Sequence, residues 1–195
     1  MPSDPSTSLS LLERLRTNDP TAWPRLMSLY TPLVHYWCQQ WDVRGPDAED
    51  VTQEVFQAVA GGLAQFRRDR VSDTFRGRLR GITRHKLLDL LRRAKNQPQG
   101  QGGTDAQRRF LAVPAEDADL APEPAEQVAA LYHRALEQVR GEFEDRTWQA
   151  FWRSAVDGQA PGDIAADLGV SPAAVRMAKS RVLRRLREEV GDVLS

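Results

Sequence analysis

Residues 47–93 read DAEDVTQEVFQAVAGGLAQFRRDRVSDTFRGRLRGITRHKLLDLLRR, and the pattern in them decides the fold. Val51, Val55, Val59 and Leu63 recur at every fourth position, joined by Phe56 and Phe66, which is the spacing of one apolar face of a helix. Asp47, Asp50, Glu54 and Gln57 fall on the opposite face of that helix. Asp47, Glu49, Asp50 and Glu54 are its only charges up to Phe66, and the acids that follow Gly45-Pro46 also suit a first helical turn. The sign then flips. Between residues 67 and 95 eleven Lys and Arg stand against three Asp. An acidic helix, a basic loop over 67–74 and a basic helix over 75–95 imply a protein partner on one side and a polyanion on the other.

In the loop, Ser72 or Asp73 is expected to cap the next helix. That helix should turn Phe75, Leu79, Ile82, Leu87 and Leu90 inward. Arg78, His85, Asp89 and Arg92 then share a polar face, with Arg76, Arg80 and Arg84 on its flanks.

Upstream, residues 1–8 are rich in Ser, Pro and Thr and are expected to be disordered. A short helix is expected over 9–16, capped by Ser8 or Ser10 and stopped at Asn18-Asp19-Pro20. A longer helix over 21–41 places Trp23, Leu26, Tyr30, Leu33, Val34, Trp37 and Trp41 on one core face. Downstream, residues 96–124 are rich in Gln, Gly, Pro and Asp without an apolar period, so they read as a flexible linker and a domain boundary.

The helical period resumes at Ala125, with Val128, Leu131, Tyr132, Ala135, Leu136 and Val139, and again with Trp148, Phe151, Trp152, Ala155 and Val156. A short helix over 163–168, a turn at Gly169-Val170-Ser171 and a helix opening on Pro172 have the form of a helix-turn-helix. Ala165, Gly169 and Val175 supply its small contact, its turn glycine and its apolar anchor. Residues 172–187 carry Arg176, Lys179, Arg181, Arg184, Arg185 and Arg187 and no acid, which suits a helix in a major groove. The fold class expected is all-α: two small helical domains, 9–95 and 125–195, with a helix-turn-helix in the second.

Composition bounds the rest. The chain has 195 residues with 27 Lys and Arg against 27 Asp and Glu, so net charge says little while its segregation says much. A single cysteine, Cys38, forms no internal disulfide and fits a reducing cytoplasm. The N-terminus lacks the basic and apolar regions of a signal peptide, and no apolar run is long enough to span a membrane. His35, His85 and His133 lie on different helices, and no phosphate loop, nucleophile elbow or Cys/His cluster is present. No metal, cofactor or enzymatic activity is expected.

DAEDVTQEVF resembles the region 2.2 signature of bacterial sigma factors of the sigma-70 family, and FRGRLRGITRHKLLDLLRR resembles their regions 2.3 and 2.4. The C-terminal helix-turn-helix resembles region 4, and the absence of a middle domain in residues 96–124 places the resemblance in the extracytoplasmic-function (ECF) group. Two departures stand out: Phe75 is the only aromatic kept in the melting segment, and His85 stands where the family commonly has Asn.

The resemblance implies a transcription initiation factor. Asp47, Asp50, Gln53 and Glu54 would meet the clamp helices of the largest subunit of core RNA polymerase, and the flap of the second-largest subunit is a further partner. Arg67, Arg68, Arg70, Phe75, Arg78, Arg80, Arg84, His85, Lys86, Arg92 and Arg93 would hold the −10 element of promoter DNA. Ser171, Pro172, Arg176, Met177, Lys179, Ser180, Arg181 and Arg184 would face the −35 element, with Arg176 best placed for guanine. An anti-sigma factor is a partner the family allows. The competing reading is a stand-alone helix-turn-helix regulator, which explains residues 125–195 but not the acid-then-basic order of 47–93.

Overall fold

The computed structural model describes residues 10–63, 74–96 and 123–190. Among them are eight α-helices and no strand: α1 (Leu11–Arg16), α2 (Ala22–Gln40), α3 (Pro46–Gly62), α4 (Phe75–Asn96), α5 (Ala125–Arg140), α6 (Asp145–Ala155), α7 (Pro161–Leu168) and α8 (Pro172–Val190). The segments expected to be a disordered N-terminus, the basic loop with Arg67, Arg68 and Arg70, and nearly all of the linker lie outside the described residues. Two compact units emerge, one of residues 23–131 and one of residues 1–22 with 132–195.

In the first unit, α2 buries Leu26, Leu29, Tyr30, Leu33, Val34, Trp37 and Cys38, and it runs on through Pro32. Trp23, expected in this core, is only half-buried and borders an open groove together with Met27 and Phe56. Burying side chains of this size stabilises by roughly 1.5–3 kcal/mol each. The α3 stripe is as spaced in the sequence: Val51, Val55, Phe56, Val59 and Leu63 are buried, while Asp47, Asp50, Gln53 and Gln57 face outward. Helix α4 packs against α3.

Two details of α4 differ from expectation. Its cap is Thr74, whose hydroxyl accepts from the Gly77 N–H at 2.9 Å, three residues on. Its inward face is Phe75, Leu79, Thr83, Leu87 and Leu91 with Leu88, rather than one through Ile82 and Leu90. The observed face steps by four throughout, and buried Thr83 fits it because its hydroxyl donates to the Leu79 carbonyl at 2.9 Å. The Phe75 ring stands edge-on to Tyr30 at 5.1 Å. Just before α5, Glu123 accepts the indole N–H of the fully buried Trp37 at 3.0 Å, giving that donor its partner.

In the second unit, α6, α7 and α8 pack around Ala150, Ile164, Ala165, Val175 and Ala178, with Leu168 and Val170 against them. Three of the five core residues are alanine, which lets the helix backbones approach closely. Val156 is exposed rather than packed, since α6 ends at Ala155. Helix α1 is capped by Ser10 in a capping box with Glu13. Its apolar face of Leu11, Leu12 and Leu15 is buried, and α1 packs against α8. The sequence shows that such a face is covered, but not by which helix. None of the helices in the described residues is long and apolar enough to cross a membrane.

Candidate functional site

The acidic helix and the basic helix meet along a polar groove of ≈ 240 Å³ lined by Asp47, Asp50, Gln53, Glu54, Lys86 and Arg93, among others. Gly45, at φ 56°, turns the chain into α3, and Pro46 opens the helix, so that Asp47 and Asp50 project from its first turns. Glu54 lies deepest. It takes Arg93 bidentately, at 3.0 Å and 3.2 Å, and Lys86 at 3.3 Å. The Arg93 hydrogen bonds, and after them Lys86, outweigh the cost of partial burial and hold the Glu54 carboxyl below its ordinary pKa. The same hydrogen bonds and the Glu54 charge raise the Arg93 pKa.

Other cations of α4 are also engaged. Arg92 lies 3.2 Å and His85 3.6 Å from Asp89. Arg78 donates to the Gly62 carbonyl at the end of α3 at 3.3 Å, and a Cβ on Gly62 would stand 2.8 Å from that guanidinium. Arg80 and Arg84 are half-buried on the flanks. Phe75, expected both to face inward and to belong to the −10 surface, is 2 % exposed and lies in the core.

The second surface is on α8. Gly169 at φ 64° closes α7 in the left-handed conformation, and the Val170 N–H bonds back to the Ala165 carbonyl at 3.0 Å. Ser171 caps α8 by accepting from the Ala174 N–H at 3.1 Å, and Pro172 fills the first helical position. Val175, Ala178 and Val182 anchor the inner face. Arg176, Met177, Ser180, Arg181 and Arg184 therefore stand exposed on the outer one, with Lys179 at its margin. Arg185 leaves that basic set. Its side chain is 7 % exposed and pairs with Glu142 at 2.6 and 2.9 Å and with fully buried Glu189 at 2.6 Å. Burial works against the Arg185 charge, but its two carboxylate partners outweigh burial and raise its pKa.

The family model for sigma-70 region 2 matches residues 26–97, which cover α3, α4 and most of α2. A probable RNA polymerase sigma factor, RfaY, of Xanthomonas campestris is 31% identical over 144 residues, covering 73% of this chain and 34% of that protein. The ECF RNA polymerase sigma factor SigE of Mycolicibacterium smegmatis is 28% identical over 195 residues, covering 96% of this chain and 69% of SigE. The chain belongs to the ECF group of the sigma-70 family. It spans about a third of the length of RfaY.

For this sigma-70 family member, sequence reading missed two features of the surfaces. One is the Glu54–Lys86–Arg93 pairing, which no periodicity announces because its members are far apart in sequence. The other is a mainly apolar groove of ≈ 490 Å³ between α2 and α3, lined by Trp23, Met27 and Phe56 together with Glu49 and Gln53. The four-residue step from Trp23 to Met27, continued by Thr31 and His35, was its available signal.

Proposed function

We propose that this protein binds core RNA polymerase and directs it to promoters, with α3 at the polymerase, residues 67–95 working at the −10 element and α8 at the −35 element. What supports this reading above all is the pairing of two exposed surfaces of opposite character: the carboxylate face of α3 and the basic outer face of α8. Asp47, Asp50 and Gln53 make charge-assisted and polar contacts to the clamp helices of the largest polymerase subunit, and Glu54 joins them. The flap of the second-largest subunit takes the second unit. Arg176 reads a guanine edge through two parallel N–H donors, Met177, Lys179 and Ser180 lie beside it, and Arg181 and Arg184 hold phosphates. On α4, Arg80, Arg84, Lys86, Arg92 and Arg93 hold the opened strand by its phosphates, joined by Arg67, Arg68 and Arg70 of the preceding loop. The helix-turn-helix reading of α7 and α8, residues 96–124 as linker and an anti-sigma factor as further partner belong to the same proposal.

Run-off transcription with purified bacterial core polymerase on a pool of promoter fragments tests it. Specific start sites appear only when the protein is added, and Asp50→Lys lowers their yield at least tenfold by setting like charge against the polymerase. Stable duplex binding by the protein alone, with no transcription, would replace this reading with that of a stand-alone regulator.

A further inference from the structure

We infer that Glu54 acts as an internal stand-in for a DNA phosphate, masking Lys86 and Arg93 in the free chain until a partner engages the acidic face of α3. The inference rests on the proposed function, in which Glu54 belongs to the protein-binding face and Lys86 and Arg93 to the DNA-binding face. The geometry is that of phosphate recognition. The Arg93 guanidinium gives two parallel N–H bonds to the two carboxylate oxygens, at 3.0 and 3.2 Å, in the fork that arginine offers carboxylate and phosphate alike. Lys86 adds a point charge at 3.3 Å, two helical turns before Arg93 on the same side of α4.

The contact is accessible to exchange. The Arg93 side chain is 58% and the Glu54 side chain 32% exposed, so solvent screens the pair and a phosphate can compete for the cations. The groove that holds this cluster is also lined by Asp47, Asp50 and Gln53, so a cation brought to that face meets Glu54 at the same place. Glu54 cannot serve both sides at full strength. A partner that draws on its carboxylate loosens Lys86 and Arg93, and a phosphate that takes those cations frees Glu54; the two effects are equal by linkage. The same residue thereby ties the affinity for one partner to the presence of the other.

The test uses the full chain without polymerase and a short, fluorescein-labelled, A/T-rich single strand, read by anisotropy across a salt series. Glu54→Gln should bind it about three- to tenfold more tightly at low salt. Its salt dependence should steepen by about 0.7 in log–log slope for each cation that gains a phosphate. Glu49→Gln removes one charge from the same helix without touching Lys86 or Arg93, and should leave affinity within about twofold of the parent. In an Arg93→Gln, Lys86→Gln background the gain from Glu54→Gln should vanish. Unchanged binding by Glu54→Gln, an equal gain from Glu49→Gln, or a gain that survives loss of both cations would each overturn the inference. Run-off transcription is read separately: its failure strikes the proposed function, while a null result for Glu54→Gln in a transcriptionally active protein strikes only the masking.

Discussion

Arg185 shows how a single side chain changes meaning between sequence and structure. In sequence it sits in a basic run with Arg184 and Arg187, yet its side chain faces inward on Glu142 and Glu189. Removing one member of a buried ionic group leaves the others uncompensated, which costs about 3–5 kcal/mol. Arg185→Ala should therefore lower the urea midpoint sharply at constant slope, and the double change Arg185→Met, Glu189→Leu should recover much of the loss. Cys38 is the opposite case, a residue whose sequence context says little and whose surroundings say a good deal. Burial in α2 pushes its thiol up to about 12. The thiolate is the reactive form, so Cys38 should label with a thiol reagent only as fast as the protein unfolds, and denaturant should restore the ordinary rate. Helical spacing revealed that these positions lie on ordered helices. The orientation of Arg185 was hidden because one residue of rotation separates its inward face from the exposed face of Arg184.

Among the elements, the turn from α1 to α2 holds more than its length suggests. Asn18 takes the left-handed conformation, and the Asp19 carboxylate accepts from the Thr21 N–H at 2.9 Å, from Arg14 at 2.8 Å and from the Thr21 hydroxyl at 2.8 Å. Those bonds, the backbone one first, lower the Asp19 pKa from 3.8 to about 2. The carboxylate is favoured in the folded state, so its contribution is complete well above pH 3.8 and is lost as pH falls through about 2. Asp19→Asn should lower the thermal midpoint at neutral pH, and the two curves should converge as acid protonates the parent. Helix boundaries here and at Gly169 were legible from capping and turn chemistry, because Ser, Asn, Gly and Pro act through their own backbone neighbours. The cap of α4 was placed one or two residues early because Ser72, Asp73 and Thr74 are all competent caps, and where the helix starts decides among them.

For the whole molecule, charge order and apolar period announced helices of opposite sign, and those are what the structure pairs in α3 and α4. The assignment of α1 was less legible. Its apolar face has no partner encoded within reach of sequence periodicity, and it packs on α8 in the unit that includes residues 132–195. Leu15→Asp should consequently raise amide exchange in the last turns of α8, while the amides of α3 keep their protection. Loss of protection in α3 with α8 unchanged would place α1 with the other unit.

The α1–α8 contact also sets an order of events at the ribosome. Leu11, Leu12 and Leu15 are translated long before Val182, Leu186 and Val190, since α1 spans Leu11–Arg16 and α8 spans Pro172–Val190. At about 5–20 residues per second, the interval is on the order of ten seconds or more. For that time the nascent chain carries an uncovered leucine face, and the unit that contains α8 cannot close around α1 until α8 itself has been made.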